Sequence, residues 1–214
     1  MEAYNASMPT PLCIESTLRL TEAASVADLA RVMRAFALYI VSDGSRVIYS
    51  PAMAELITDY ADELTHYDIY YQRSSDCGII FAHNNPNLIT ASGAARLYAS
   101  GVGRVALCGN AQATLLDHVT AHAYDRAHLT ARDHSFATLH DEARATARNR
   151  SVVVASPRSE VWAHEKAEVW VAGGKPVICA EGQSTVKGCR SALRNLTRRG
   201  DALGIVEPIT IQMR

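Results

Sequence analysis

Six of the eight histidines fall between residues 118 and 164: His118, His122, His128, His134, His140 and His164. Imidazole is a metal ligand and a proton carrier near neutral pH, so such a set invites zinc binding or acid–base chemistry. Of the six, only His118 and His134, with Asp133, recur at an interval that would bring them together. Five cysteines, Cys13, Cys77, Cys108, Cys179 and Cys189, lie 64, 31, 71 and 10 residues apart, which forms neither a CxxC knuckle nor an even disulfide framework. Gly101-Val102-Gly103, followed by Ala106, has the outline of a dinucleotide fingerprint, but no strand–turn–helix surrounds it. HExxH, a phosphate-binding loop and a GxSxG elbow are all missing from the sequence. The expectation is a protein that is not an enzyme, with no metal and no cofactor.

What must position these residues is a repeat. Cut in steps of eight from Asn85, the chain gives twelve octads ending at Ala180, among them GAARLYAS, DRAHLTAR, DEARATAR and EKAEVWVA. Position five is apolar throughout, from Ile89 and Leu97 to Val169 and Val177, and position seven likewise, from Ala91 and Ala99 to Val171 and Cys179. Position three is Ala, Gly or Ser in nine of the twelve, and position one is Asp, Asn or Gly in ten. Alternation at three, five and seven is the period-two pattern of a half-buried strand. Asp, Asn and Gly supply turn chemistry at the corner. A single octad cannot bury its own apolar face, so octads must stack along an axis as a parallel β-solenoid. The small interior favours two octads per turn, a flattened coil of sixteen residues, over a three-sided prism.

In the octad frame the histidines occupy positions two, six, four, two, eight and eight, scattered over corners and outer faces. Position six should face outward, yet it reads Val154, Trp162, Trp170 and Ile178 in the last four octads, with Val152 nearby. Both tryptophans of the chain are there, and an exposed aromatic ladder marks an interface. Val152, Val154, Trp162, Trp170 and Ile178 are therefore the candidate interface residues. Asp117, Asp125, Asp133, Asp141 and Glu142 could imitate phosphates, but Arg126, Arg132, Arg144, Arg148 and Arg150 alternate with them. An ice-binding face would need paired Thr-x-Thr rows, which Thr114, Thr130, Thr138 and Thr146 do not form.

The octads resemble short-repeat β-solenoid proteins, a class that includes octapeptide β-helices of phage spikes and pentapeptide-repeat proteins. The resemblance is architectural and covers about 45% of the chain. It implies binding or scaffolding more often than catalysis, and an association with phages. Solenoid enzymes carry long loops that build a cleft, whereas this repeat runs its twelve octads without an insertion.

Before the repeat the pattern is helical. Ser25 and Asp28 form a capping box ahead of Val26, Leu29, Ala30, Met33, Phe36, Ala37 and Ile40, with Gly44 as a stop. Arg46 to Ser50 reads as a short strand, and Pro51 opens a second helix with Met53, Leu56, Ile57, Tyr60, Ala61 and Leu64 on one face. Gly78 to His83 fits the first strand of the coil. After Ala180, Ser191 to Arg199 has helical character and Ile205 to Met213 reads as a strand broken by Pro208. The expected fold is thus mainly β: a parallel β-solenoid of octapeptide repeats (77–184) with an N-terminal α-helical, α+β domain (1–76) and a C-terminal cap of helix and strand (185–214).

Across all 214 residues there are 34 Ala against three Phe and two Trp, an interior of little bulk. The formal charge of -1 gives no overall attraction to nucleic acid or an anionic membrane. The longest apolar run, Ala35 to Val41, is too short to span a bilayer, and the N-terminus lacks a signal-peptide pattern, which points to the cytoplasm. The functional expectation is a non-enzymatic protein–protein interaction module, a rigid solenoid that binds and inhibits a host enzyme as a phage-type inhibitor. The alternatives are a trimeric phage spike, fibre or self-assembling scaffold, and a carbohydrate-active enzyme on a β-helix. The expected partner is another protein or a second copy of the chain, as homodimer or trimer, with neither nucleic acid nor membrane.

Overall fold

A computed structural model describes residues 25–42, 57–189 and 191–206. Helix α1 (Val26–Ser42) begins where expected: the Ser25 hydroxyl accepts the Asp28 backbone N–H at 3.2 Å and donates to its carboxylate at 2.8 Å. Leu29, Ala30, Val32 and Met33 are buried on its inner face. A short helix α2 (Ala61–Thr65) follows, and α1 lies against it. The expected stop at Gly44, the strand at 46–50 and the start of the second helix lie outside the described residues.

The strands, in chain order, are β1 (Ile69–Tyr71), β2 (Ile79–His83), β3 (Leu88–Ala91), β4 (Arg96–Ser100), β5 (Val102–Leu107) and β6 (Gln112–Leu115). They continue as β7 (His118–Ala123), β8 (His128–Ala131), β9 (Phe136–Leu139), β10 (Arg144–Ala147), β11 (Val152–Ala155) and β12 (Glu160–Ala163). The last five are β13 (Glu168–Val171), β14 (Val177–Glu181), β15 (Thr185–Gly188), β16 (Leu196–Arg199) and β17 (Leu203–Val206). The chain alternates between two parallel sheets, so the even-numbered strands with β1 form a nine-stranded wall and the odd-numbered strands from β3 an eight-stranded one. This is a parallel β-solenoid of about eight turns.

The register fixes two strands per turn. Leu97 pairs with Ala113, Ala113 with Leu129, Leu129 with Ala145 and Ala145 with Val161, each sixteen residues on. In the eight octads from Gly109 to Ala172, positions three, five and seven point inward and are buried, and no interior side chain of β7 to β10 is larger than leucine. The alanines are what allow two walls to close on each other without a third.

The corners explain position one. Gly93, Gly101, Gly109, Asp117, Asp125, Asp133, Asp141, Asn149 and Glu165 all have φ between 50° and 71°. Gly, Asn and Asp tolerate this left-handed conformation best. The acidic side chains also accept backbone N–H groups from the coil before: Asp117 from Gly101 at 2.8 Å, Asp125 from Gly109 at 2.9 Å, Glu165 from Asn149 at 2.8 Å. Each corner thus ties to its neighbour along the axis.

Three expectations are corrected. The twelfth octad is out of frame: a residue added at the Gly173-Gly174 corner shifts the register to seventeen, so Val161 pairs with Ile178 and Trp162 with Cys179. Because side chains alternate with period two, one added residue exchanges inside for outside. Ile178 is therefore a core residue at 1% exposure, while Val177 is 54% exposed and Cys179 faces outward. Gly174 takes the positive φ, and a Cβ there would meet the Pro157 ring at 2.2 Å.

The second correction concerns Ser191 to Arg199, where the helix shrinks to a four-residue 3-10 turn (Ala192–Asn195). β16 and β17 then join the two walls, pairing Leu196 with Ile178 and Leu203 with Thr185. An open strand edge offers a full set of backbone partners, which outweighs the weak helical propensity of a short segment. The third lies at the other end, where the coil starts at β1, ahead of Gly78: Ile69 pairs with Ile79 through a shortened turn.

Candidate functional site

The expected interface residues do not form one ladder. Octads alternate between walls, so Trp170 on β13 belongs to the odd wall and Trp162 on β12 to the even wall. Val152 and Val154 lie on β11 beside Trp170, with Val154 paired to Trp170 and Val152 to Glu168. Ile178 is inside. In its place the odd wall adds Phe136 of β9, paired with Val152, whose ring meets that of Trp170 edge-on at 6.4 Å and 76°. Phe136, Val152, Val154 and Trp170 thus make one apolar strip across three strands, in which Val154 is buried at 5% exposure and the half-buried Phe136, Val152 and Trp170 supply the surface. Phe136 was legible only once the sixteen-residue turn was known, since its neighbours in the octads are polar.

One margin of the strip is charged. Glu168 accepts from the Trp170 indole N–H and pairs with Lys187 at 2.5 Å. Burial works to raise the Glu168 carboxyl, but the hydrogen bonds from Lys187 and Trp170 outweigh it and hold the group below its ordinary value.

Trp162 borders a different feature, a groove of about 620 Å³ on the even wall lined also by Asn110, Gln112, Arg126, His128, Glu142 and Arg144. Arg126 pairs with Glu142 at 3.3 Å and Arg144 with Glu160 at 3.2 Å, each along the axis. Burial and then the Arg144 charge lower the pKa of His128, which favours its neutral form. Thr114, Thr130 and Thr146 form a row beside the groove.

The histidines are less scattered than their octad positions suggest. His118 and His134 stack at 5.3 Å and 6° on one corner. On the other side, His140 stacks on Tyr124 at 4.4 Å and 7°, and its Nε2 lies 3.3 Å from Nδ1 of His122. Burial and the His122 neighbour lower the His140 pKa against the pull of Asp141. The sixteen-residue turn sets 124 under 140, a signal the sequence held without marking it. Among the described residues no three metal-ligating side chains converge. Cys77, Cys108, Cys179 and Cys189 are free thiols, and Cys13 lies outside the described residues. Gly101 and Gly103 sit at the corner into β5 and in that strand, serving a turn and a close approach to Asn85.

Among the described residues no helix is long and apolar enough to cross a membrane. No family model matches the chain, and neither does any curated protein or solved structure.

Proposed function

We propose that this chain is a non-enzymatic binding protein, a rigid β-solenoid that holds another protein against the outer face of its odd wall. The observation that carries this reading is the strip of Phe136, Val152, Val154 and Trp170, apolar at its centre and bordered by the Glu168–Lys187 pair. Aromatic anchors within an apolar centre and a charged margin are the anatomy of a protein interface. A wall whose strands are paired on both sides loses little conformational entropy when a partner docks. The absence of long corner loops in the octads, and the ion pairing of Glu142 and Glu160 with arginines, favour binding over catalysis.

In its finer form the reading is a phage-associated octapeptide-repeat protein that inhibits a host enzyme in the cytoplasm, with residues 1–76 capping the first coil. A spike or scaffold built from copies of this chain is the alternative. A photo-crosslinker placed at Val152, and in a parallel variant at Thr130 on the opposite wall, separates them. Capture of one host protein from Val152 alone, abolished by Trp170→Ala, supports the reading. Crosslinks between copies in the purified protein would establish self-assembly instead, and equal capture from both walls would remove the odd-wall interface.

A further inference from the structure

The whole-chain charge of -1 conceals a sorting of cations between the two corners of the coil. Between Asp117 and Lys166, the even wall and the corner leading into it carry Arg126, Arg144 and Arg158, which pair with Glu142, Glu160 and Asp141, whereas Arg96 and Lys175, outside those coils, make no such pair with any described residue. On the corner leading into the odd wall, Arg132, Arg148, Arg150 and Lys166 make no side-chain ion pair or hydrogen bond with any described residue. The Arg132 Nε is buried and without a partner. His118, His134 and His164 stand in the same two outward columns, at positions two and eight.

The acids of that corner are turned elsewhere. Asp117 and Glu165 accept backbone N–H groups along the axis, and Asp133 accepts from the Asp117 N–H at 3.4 Å and the Asn149 amide at 3.1 Å. Four cations against three carboxylates leave +1, and Glu181 at the end of the ridge, 3.3 Å from His164, is offset by Arg199 at 3.3 Å. The middle rung, Arg148-Asn149-Arg150, has two cations and no acid. The opposite corner, Asp125, Arg126, Asp141, Glu142 and Arg158, sums to -1.

We propose that the corner from His118 to Lys166 is a ridge that binds the phosphate backbone of duplex nucleic acid without reading its sequence. Its three coil intervals span about 14 Å at about 4.8 Å each. Guanidinium groups carried on a rigid row of corners can meet successive phosphate oxygens. Between the rungs of Asp117 and Glu165 the ridge exposes no apolar side chain, so a protein partner would find no anchor there. It also lacks a Tyr, Trp or Phe platform on which unpaired bases could stack. A phosphate backbone needs neither.

The test is fluorescence anisotropy of the full chain with labelled 20-base-pair duplexes of two unrelated sequences. Both should bind alike at low salt, with log K falling against log salt at a slope of roughly -3 for three to four neutralised phosphates. Arg148→Gln with Arg150→Gln should weaken binding tenfold or more at an unchanged melting temperature, while Arg126→Gln with Arg158→Gln leaves it intact. Absence of binding at low salt, equal loss from both double variants, or displacement by polyaspartate as effective per charge as by unlabelled duplex would each overturn the proposal.

Discussion

Trp162 and Trp170 are eight residues apart, both point outward, and they lie on opposite faces of the molecule. Trp162 pairs with Thr146 and Cys179 on the even wall, and Trp170 pairs with Val154 and Lys187 on the odd one. The two indoles therefore serve different surfaces and are expected to respond to different ligands.

Replacing Trp170 by Ala should weaken a partner bound to the odd wall by more than tenfold, as loss of a central aromatic anchor does. Trp162→Ala should leave that affinity within a factor of two. Calorimetric titration of both variants with the protein captured at Val152 measures this, and equal losses would place the partner elsewhere.

The interior tolerates neither gain nor loss of volume. Leu129 is fully buried between Ala113 and Ala145 in its interior row, and Leu129→Ala is expected to cost about 2–5 kcal/mol. Ala145 lies next to it in the same interior row, and Ala145→Leu should cost about 1–3 kcal/mol by overpacking. Urea unfolding reads both; an Ala145→Leu variant as stable as the parent would mean that the walls are not in close contact.

Asp133 holds a φ of 56° and receives two hydrogen bonds from the adjoining coils. Asp133→Val combines a β-branched residue in left-handed space with loss of those bonds, a destabilisation of about 2–3 kcal/mol. Asp133→Gly removes the bonds but relieves the backbone, so its urea midpoint should fall well above that of the valine variant. The reverse order would show that the corner does not select for φ.

Glu168 supplies a pH signature. Its carboxyl is held below its unfolded value, so its contribution is complete above the ordinary carboxylate range and is lost as pH falls through the folded value. Glu168→Gln should therefore melt below the parent at pH 7 and converge with it at acidic pH. Parallel melting curves from pH 7 to pH 3 would show that the Lys187 and Trp170 contacts do not stabilise the ionised form.

By itself the sequence determined the coil. Apolar residues at positions five and seven, small ones at three and turn formers at one specify a stacked coil of short strands and favour two octads per turn over three; the sixteen-residue register is what fixes two walls. That logic is local and periodic, which is why it can be read from one chain alone. The grouping of outward residues was decided by the tertiary structure. Neighbours along the axis are sixteen residues apart, so Phe136 joins Trp170, Tyr124 joins His140, and Arg132 joins Arg148 and Arg150, while adjacent octads part to opposite walls. One added residue at Gly173-Gly174 was enough to send Ile178 inside and Val177 out, because strand orientation inverts at every step. Repeat chemistry specifies the rung; only the stacking of rungs specifies a surface.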